Sequence, residues 1–391
     1  MDKNKPKLLY VITQGQWGGA QKYVYDLSLA LREEFEIIVA VGEPNDKPDL
    51  QNRLKKANLS YIQLRHLRRA ISPWHDLLAI FELRGLYRKL KPSIVHLNSS
   101  KAGILGSLAC QMSNVKCQML VYTVHGWVFN EPLSLAKKKL YKLLEKITAR
   151  AKSQIIVLSE SEKQTGLKLG IPEKKITTVP LGVGQIENNL SKADARRMTL
   201  NLWAEEPPNF NTSYLIGTIA NFYPTKNLDN LIKAVSKIKN KLGNFYIILI
   251  GDGPEKENLK LKIKNQNLDN FVCMPGFIEN AAQYLPAFDI FVLPSRKEGL
   301  PYTLLEAQNA QTPIIATDVG AVNTIVSDKK TGLLAPPEDV EKLAQAIEYA
   351  YNNREEMKKM AQLASAQNSP KYSKSTMILE TVKLYRNMRT N

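Results

Sequence analysis

Short apolar runs alternate along the chain with longer amphipathic stretches. In the first half, LLYVIT, EIIVAV, IVHLN, MLVYTVH and QIIVLS are brief, mostly apolar segments, the pattern of strands buried on both faces. Between them, AQKYVYDLSLALREE and WHDLLAIFELRGLYRKLK carry apolar residues at helical spacing. This alternation predicts an open parallel sheet with helices on both sides, an α/β architecture. It stops near Pro180. Residues 185–212 are polar, include Pro207 and Pro208, and read as a linker or irregular crossing. The alternation restarts with YLIGTIA, FYIILIGDG, NFVCMPGF, DIFVLPS and TPIIATDVG, with helices NLDNLIKAVSKIKNKLG and EKENLKLKIKNQ between them. After Pro336 only helical periodicity remains. Two Rossmann-like, doubly wound domains are therefore expected, at 1–185 and 186–370, followed by a terminal helix at 371–391. Ligands of such sheets sit outside the carboxyl ends of the strands. With two domains, the expected site is the cleft between them.

The length of 391 residues agrees with two domains. Cys110, Cys117 and Cys273 form neither a disulfide framework nor a zinc-ligand pattern, which suits a reducing compartment. The first residues read as a strand and a glycine loop rather than a signal peptide. No stretch approaches 18 apolar residues, so no membrane span is expected. Charge is uneven. Residues 1–190 carry 29 Lys and Arg against 16 Asp and Glu, most of the net +17. A basic half implies an anionic partner or simply a solvated surface. Two helical stretches concentrate the charge beside apolar residues. One holds Arg65, Arg68, Arg69, Arg84, Arg88 and Lys89 near Trp74, Ile80 and Phe81; the other holds Lys137–Lys139, Lys142 and Lys146 near Leu140, Leu143 and Leu144. Such helices can lie on an anionic membrane.

The most informative segment is DIFVLPSRKEGLPYTLLEAQ. A strand ends at Leu293, a loop carries Arg296, Glu298, Gly299 and Leu300, and a helix opens near Pro301 with Glu306 in its first turns. Free amides at that helix start can receive a phosphate. One carboxylate can face a sugar while the other accepts ribose hydroxyls. Lys226 follows a strand in IANFYPTKN, where its ammonium can neutralise a diphosphate. Gly18 and Gly19 follow the first strand and let backbone amides approach closely. His125 ends the strand MLVYTVH, and His96 ends the one before it, followed by Asn98, Ser99 and Lys101. Glu160 ends another strand, where a helix start can stabilise its carboxylate.

EGLPYTLLE resembles the E-x7-E motif of the family 4 glycosyltransferases, which have the GT-B fold. The resemblance extends over nearly the whole chain, through TQGQWGGAQKYVYDLSLAL, VHLNSSKAGILGSLA, YTVHGWVFNE, IANFYPTKN, IGDGPEKENL and TPIIATDVGAVNTIVSDKKTGLLAPPED, in order. It implies two Rossmann-like domains facing a central cleft, with the terminal helix packing back on the N-terminal domain. It implies retaining transfer of a sugar from a nucleotide-diphosphate-sugar to a lipid-linked or saccharide acceptor, in cell-surface polysaccharide or glycolipid synthesis. His125, Lys226 and Glu298 are the implied catalytic residues. Gly18, Gly19, Lys226, Arg296, Glu298, Gly299, Leu300, Pro301 and Glu306 hold the donor; Asn98, Ser99 and Lys101 lie on the acceptor side. Relatives often carry Arg where this chain has Asn221 or Tyr223, so the diphosphate lacks a bidentate partner, and Arg296 is the candidate substitute. In TDVGAVNTIV, Gly320 is kept, while Ala321 and Thr324 replace a Gly and a Glu. No cation-binding Asp pair stands where a metal would need one. The expectation is a UDP- or GDP-sugar co-substrate with no metal and no cofactor, a cytoplasmic enzyme with peripheral contact at the inner face of the plasma membrane. Other readings are a related GT-B enzyme, such as a nucleotide-sugar 2-epimerase, or a non-catalytic polyanion-binding protein. No nucleic-acid-binding signature is evident.

Overall fold

The computed structural model describes residues 5–43, 49–113, 119–131, 133–184, 190–203, 206–368 and 370–387. Cys117 and the last four residues of the expected terminal helix lie outside the described residues. The chain forms two compact units, Met1–Leu181 with Met377–Asn391, and Gly182–Thr376.

The first unit runs β1 (Lys7–Ile12), α1 (Gly19–Leu31), β2 (Glu36–Val41), α2 (Asp49–Lys56), β3 (Ser60–Gln63), α3 (Pro73–Leu90), β4 (Ile94–Leu97), α4 (Ser100–Met112), β5 (Met119–Val124), α5 (Leu135–Thr148), β6 (Gln154–Val157), α6 (Glu160–Lys168) and β7 (Ile176–Thr178). Its sheet has the order β3-β2-β1-β4-β5-β6-β7 and is parallel throughout. The chain reverses its direction of travel across the sheet between β1 and β4, which makes their carboxyl ends a topological switch point. Right-handed crossovers then put α1 and α2 on one face and α3, α4 and α5 on the other, and α3 packs on α4 and α4 on α5. Leu9, Val11, Val95, Leu97, Tyr122 and Val124 fill the core on the α4 side.

The second unit runs α7 (Lys192–Leu200), β8 (Tyr214–Ile219), α8 (Leu228–Ile238), β9 (Phe245–Ile250), α9 (Lys256–Asn265), β10 (Val272–Gly276), β11 (Ile290–Leu293), α10 (Tyr302–Asn309), β12 (Ile314–Thr317), β13 (Leu333–Ala335), α11 (Val340–Asn352) and α12 (Arg354–Asn368). Its parallel sheet has the order β10-β9-β8-β11-β12-β13, so its switch point lies between β8 and β11. A last helix, α13 (Lys374–Asn387), begins in this unit and ends in the first.

The polar stretch 185–212 is not all linker, because it contains α7. Ser191 opens that helix, its hydroxyl accepting from the Asp194 N–H at 3.2 Å and donating to the Asp194 carboxylate at 2.6 Å. Arg196 then ties the helix to the sheet through Asp289, 2.6 Å away. Three strands, β3, β7 and β13, had no clear apolar run. They are three or four residues long and take their strand pairing from β2, β6 and β12. Among the described residues, no helix is long and apolar enough to cross a membrane.

Candidate active site

In the second unit, the two loops that leave the switch point are laced together. The loop after β8 ends in one 3₁₀ turn, Pro224–Lys226, closed by Asn227 in the left-handed conformation at φ 51°. The loop after β11 carries Ser295 to Gly299. The Arg296 N–H donates to the Thr225 carbonyl at 2.8 Å, and its guanidinium donates to the Pro224 carbonyl at 2.8 Å. This brings Lys226 Nζ to 2.7 and 2.9 Å from the two carboxylate oxygens of Glu298. Ser295 Oγ donates to Glu298 Oε1 at 2.6 Å, and Thr317 on β12 donates to the Ser295 carbonyl at 2.5 Å. The Glu298 side chain is only 7% exposed, whereas Lys226 keeps 24%. The result is a fixed carboxylate carrying a partly accessible ammonium.

Glycine at 320 holds this loop from behind. Its φ is +59°, and a Cβ there would stand 2.0 Å from the Glu298 carbonyl oxygen. Ala321 N–H donates to the Gly299 carbonyl at 3.1 Å. Leu300 and Pro301 are buried, and Pro301 is the N-cap of α10 rather than its first helical residue. No side chain caps that helix start, the arrangement in which a helix N-terminus can receive an anion. Glu306 lies half-buried at the start of the second turn of α10. Arg296, the expected substitute for the missing Arg, is committed elsewhere. Besides holding Pro224, its Nε donates to Glu338 at 2.6 Å. In this structure it braces the loop that presents Lys226.

In the first unit, Gly18 is the N-cap of α1 and Gly19 its first residue, again with no side-chain cap. The preceding loop is held by Gln21, which donates to the Gln14 carbonyl at 2.9 Å, and by the Arg53 guanidinium, 3.9 Å above the Trp17 ring. Asn98 and Ser99 sit at the end of β4. Asn98 is fully buried, with Nδ2 donating to the His96 carbonyl at 2.9 Å and Oδ1 at 3.5 Å from His125 Nε2. Ser99 caps α4, accepting from the Ala102 N–H at 3.2 Å, and meets Thr13 Oγ1 at 2.5 Å. Lys101 forms an ion pair of 2.6 Å with Asp76 on α3 and also donates to the Ala70 carbonyl. Glu160 opens α6, where the cap is Ser159.

His125 stands half-buried at the end of β5, against the edge of Tyr23, with ring centroids 5.1 Å apart. Burial pushes its imidazole down to about 3. His96 is fully buried and also falls to about 3, first through burial and then through the adjacent His125. Both rings are therefore neutral at physiological pH.

The structure thus brings together Lys226, Arg296, Glu298 and Gly299 with Gly320 in one loop cluster, with Pro301 and Glu306 on the helix that follows it. In the first unit it brings together His125 with Asn98. It adds Ser295 and Thr317 to the first group and Tyr23 to the second. Ser295 had a local signal, a hydroxyl three residues before a carboxylate just after a strand. Tyr23 and Thr317 had none.

Two family profiles match the chain in sequence. "Glycosyltransferase Family 4" matches residues 17–184 and "Glycosyl transferases group 1" matches residues 202–367. Among curated relatives, the chain is 28% identical over 351 residues to an Escherichia coli protein named UDP-Gal:alpha-D-GlcNAc-diphosphoundecaprenol alpha-1,3-galactosyltransferase, covering 88% of this chain and 87% of that one. It is 25% identical to the capsular polysaccharide biosynthesis glycosyltransferase CapM of Staphylococcus aureus, over 73% of this chain and 74% of the relative. Among solved structures, the HepE protein of Anabaena in complex with UDP-glucose superposes with a TM-score of 0.81, covering 97% of this chain and 99% of that one at 19% identity.

Proposed function

This chain belongs to the family 4 glycosyltransferases, nucleotide-sugar-dependent enzymes of GT-B fold, and we propose that it moves a sugar, with retention of configuration, from a UDP-sugar to a saccharide carried on a polyprenyl diphosphate. The uridine donor and the lipid diphosphate acceptor are both in the name of the E. coli relative, and polysaccharide synthesis is in the name of the S. aureus one.

The observation that carries the reading is the Lys226–Glu298 pair at the switch point of the second sheet. In the free protein the two charges neutralise each other. On donor binding, the diphosphate takes Lys226 as its counter-ion, and Glu298, still held by Ser295, turns its freed acceptor capacity to the hydroxyls of the sugar. As the glycosidic bond breaks, negative charge builds on the departing diphosphate. A cation already fixed there stabilises the transition state more than the ground state. The N-terminus of α10 shares that task, and Glu306 accepts from the ribose. In the first unit, Gly18 and Gly19 form another helix start without a side-chain cap, suited to a phosphate.

On the acceptor side, His125 and Asn98 position the reacting hydroxyl. A neutral imidazole can accept from a hydroxyl or donate to one. Lys101 contributes only by exchanging Asp76 for an acceptor group. No residue of this chain is assigned to a metal.

A peripheral membrane contact is part of the same proposal. Leu135, Leu140, Leu143 and Ile147 on α5, and Trp74, Leu77 and Phe81 on α3, are exposed on one side of the first unit. On α5 they stand among Lys137, Lys138, Lys139, Lys142 and Lys146. The helix's one acid, Glu145, is buried against Lys152 at 3.1 Å. A basic, apolar surface suits the anionic inner leaflet on which a polyprenyl acceptor resides.

The test is a thermal-shift series with UDP-, GDP- and ADP-sugars on the wild type and Lys226→Ala. UDP-sugars are expected to raise the melting temperature of the wild type most and to lose most of that effect in the variant. A preference for GDP- or ADP-sugars, or an equal shift in both proteins, would overturn the assignment.

A further inference from the structure

A line of buried polar groups joins the last helix of the chain to His125. Tyr385 on α13 places its hydroxyl 2.5 Å from His96 Nδ1. His96 Nε2 lies 2.7 Å from Thr123 Oγ1, and Thr123 Oγ1 lies 3.3 Å from the Tyr23 hydroxyl. The Tyr23 ring then meets His125 edge-on, at 74°. Tyr23, His96, Thr123 and Tyr385 are all fully buried. Thr123 projects from one face of β5, and His125 follows just beyond the strand's last residue, Val124. That face is opposite the one where Tyr122 donates to Glu145.

Packing alone would not call for this chemistry. A buried polar group costs stability unless bonded, and aromatic or aliphatic side chains would fill the same volume without that demand. Here each hydroxyl and ring nitrogen meets the next. His96 is neutral, so one ring nitrogen donates while the other accepts. The hydroxyls on either side can do both, and the chain closes in either direction. The line ends against His125, half-buried just beyond the carboxyl end of β5.

We propose that α13 is a positioning element of the reaction centre: Tyr385 fixes His96, and through Thr123 and Tyr23 it sets the ring of His125. The inference rests on the reading of His125 as a residue that positions the reacting hydroxyl. Tyr385 and His96 are positioning residues, 289 positions apart in the chain, and neither is proposed to touch substrate. The consequence is that a helix reached through the second unit completes the site of the first.

The experiment compares Tyr385→Phe with Tyr87→Phe, which removes an equally buried hydroxyl on α3, across the sheet, where it donates to the Gly106 carbonyl. The chain has four histidines, so histidine-selective labelling resolves the imidazole signals by NMR. Turnover is read with the UDP-sugar that gives the largest thermal shift. Tyr385→Phe is expected to move the His125 resonances and lower kcat about tenfold, the scale of a small misplacement in an active site, with donor and acceptor KM within twofold of wild type. Tyr87→Phe should leave the His125 signal and kcat unchanged. Should Tyr385→Phe fail to fold, Tyr23→Phe carries the test, since it keeps the ring against His125 and removes the hydroxyl that meets Thr123. Unmoved His125 resonances and wild-type kcat in the Tyr385 or Tyr23 variant would overturn the positioning role. If His125→Ala is nonetheless inactive, the reading of the site survives that result; if His125→Ala is fully active, the reading itself falls.

Discussion

The carboxyl edges of the two sheets solve different electrostatic problems. At the second, the loops after β8 and β11 present an ammonium and a carboxylate 2.7 Å apart, with the carboxylate nearly buried and braced by Ser295. At the first, His125 stands just past the end of β5 with His96 fully buried behind it, and burial keeps both uncharged. A diphosphate leaving group needs a fixed cation, and a cation already paired can change partners with little reorganisation. A hydroxyl that must be oriented needs neutral hydrogen-bonding groups whose state does not drift with pH. The same Rossmann-like framework serves both because its switch point only fixes where loops converge. What the loops carry decides the chemistry.

The largest effect that can break this contrast is on the charged side. Lys226→Ala should lower kcat by about two to three orders of magnitude at saturating donor, as for loss of one strong oxyanion donor. Neither Asn221 nor Tyr223 replaces its charge, and Arg296 is tied to Glu338 and the Pro224 carbonyl. A loss below about threefold would move the leaving-group charge to another residue. Next in size, Glu306→Gln should weaken UDP binding by about 1–3 kcal/mol, the worth of a hydrogen bond to a charged group. Calorimetry with UDP alone reads this directly, and an unchanged Kd would remove Glu306 from the ribose.

The neutral side yields a smaller, pH-dependent effect. His125 binds its proton near 3 in the folded protein, against an ordinary value of 6.5. Between these values the unfolded chain holds a proton that the folded one does not. Stability therefore falls as pH drops through that window and is regained on returning to neutrality. Urea unfolding at pH 6, 5 and 4 should show the wild type losing about 1 kcal/mol per pH unit more than His125→Gln. Parallel losses would mean that His125 is not held neutral. The smallest effect concerns the exposed face of α5. Replacing Lys137, Lys138 and Lys139 by Gln should reduce co-sedimentation with vesicles of anionic phospholipid by up to about 3 kcal/mol, near 1 per charge close to the surface. Binding to neutral vesicles should stay weak for both proteins. No difference on anionic vesicles would leave that face a solvated surface.

Much of this was legible in the sequence because the informative signals are local. The run from Leu293 to Glu306 holds a strand end, a loop carboxylate and a helix start within one stretch, and the structure assembles it in that order. Lys226 was legible from its place after a strand. What was not legible depends on partners far away in the chain. Helix α7 is fixed by Asp289, 93 residues beyond Arg196. The commitments of Arg296 to Glu338 and of Lys101 to Asp76 follow from side chains meeting across loops, which no spacing rule records. Strands β7 and β13 carry three residues each and acquire their structure from neighbours. The tie from Tyr385 to His96 is the extreme case, since it requires the chain to leave the first unit, build the second and return.

The most direct test of the central claim, sugar transfer from a nucleotide diphosphate with its configuration kept, is proton NMR of the first-formed product. The reaction would use an α-linked UDP-sugar and a polyprenyl diphosphate saccharide acceptor. The account predicts an α-linked disaccharide from the first turnover, abolished in Lys226→Ala. A β-linked product would contradict retention, and free or epimerised sugar with no glycosidic product would contradict transfer itself.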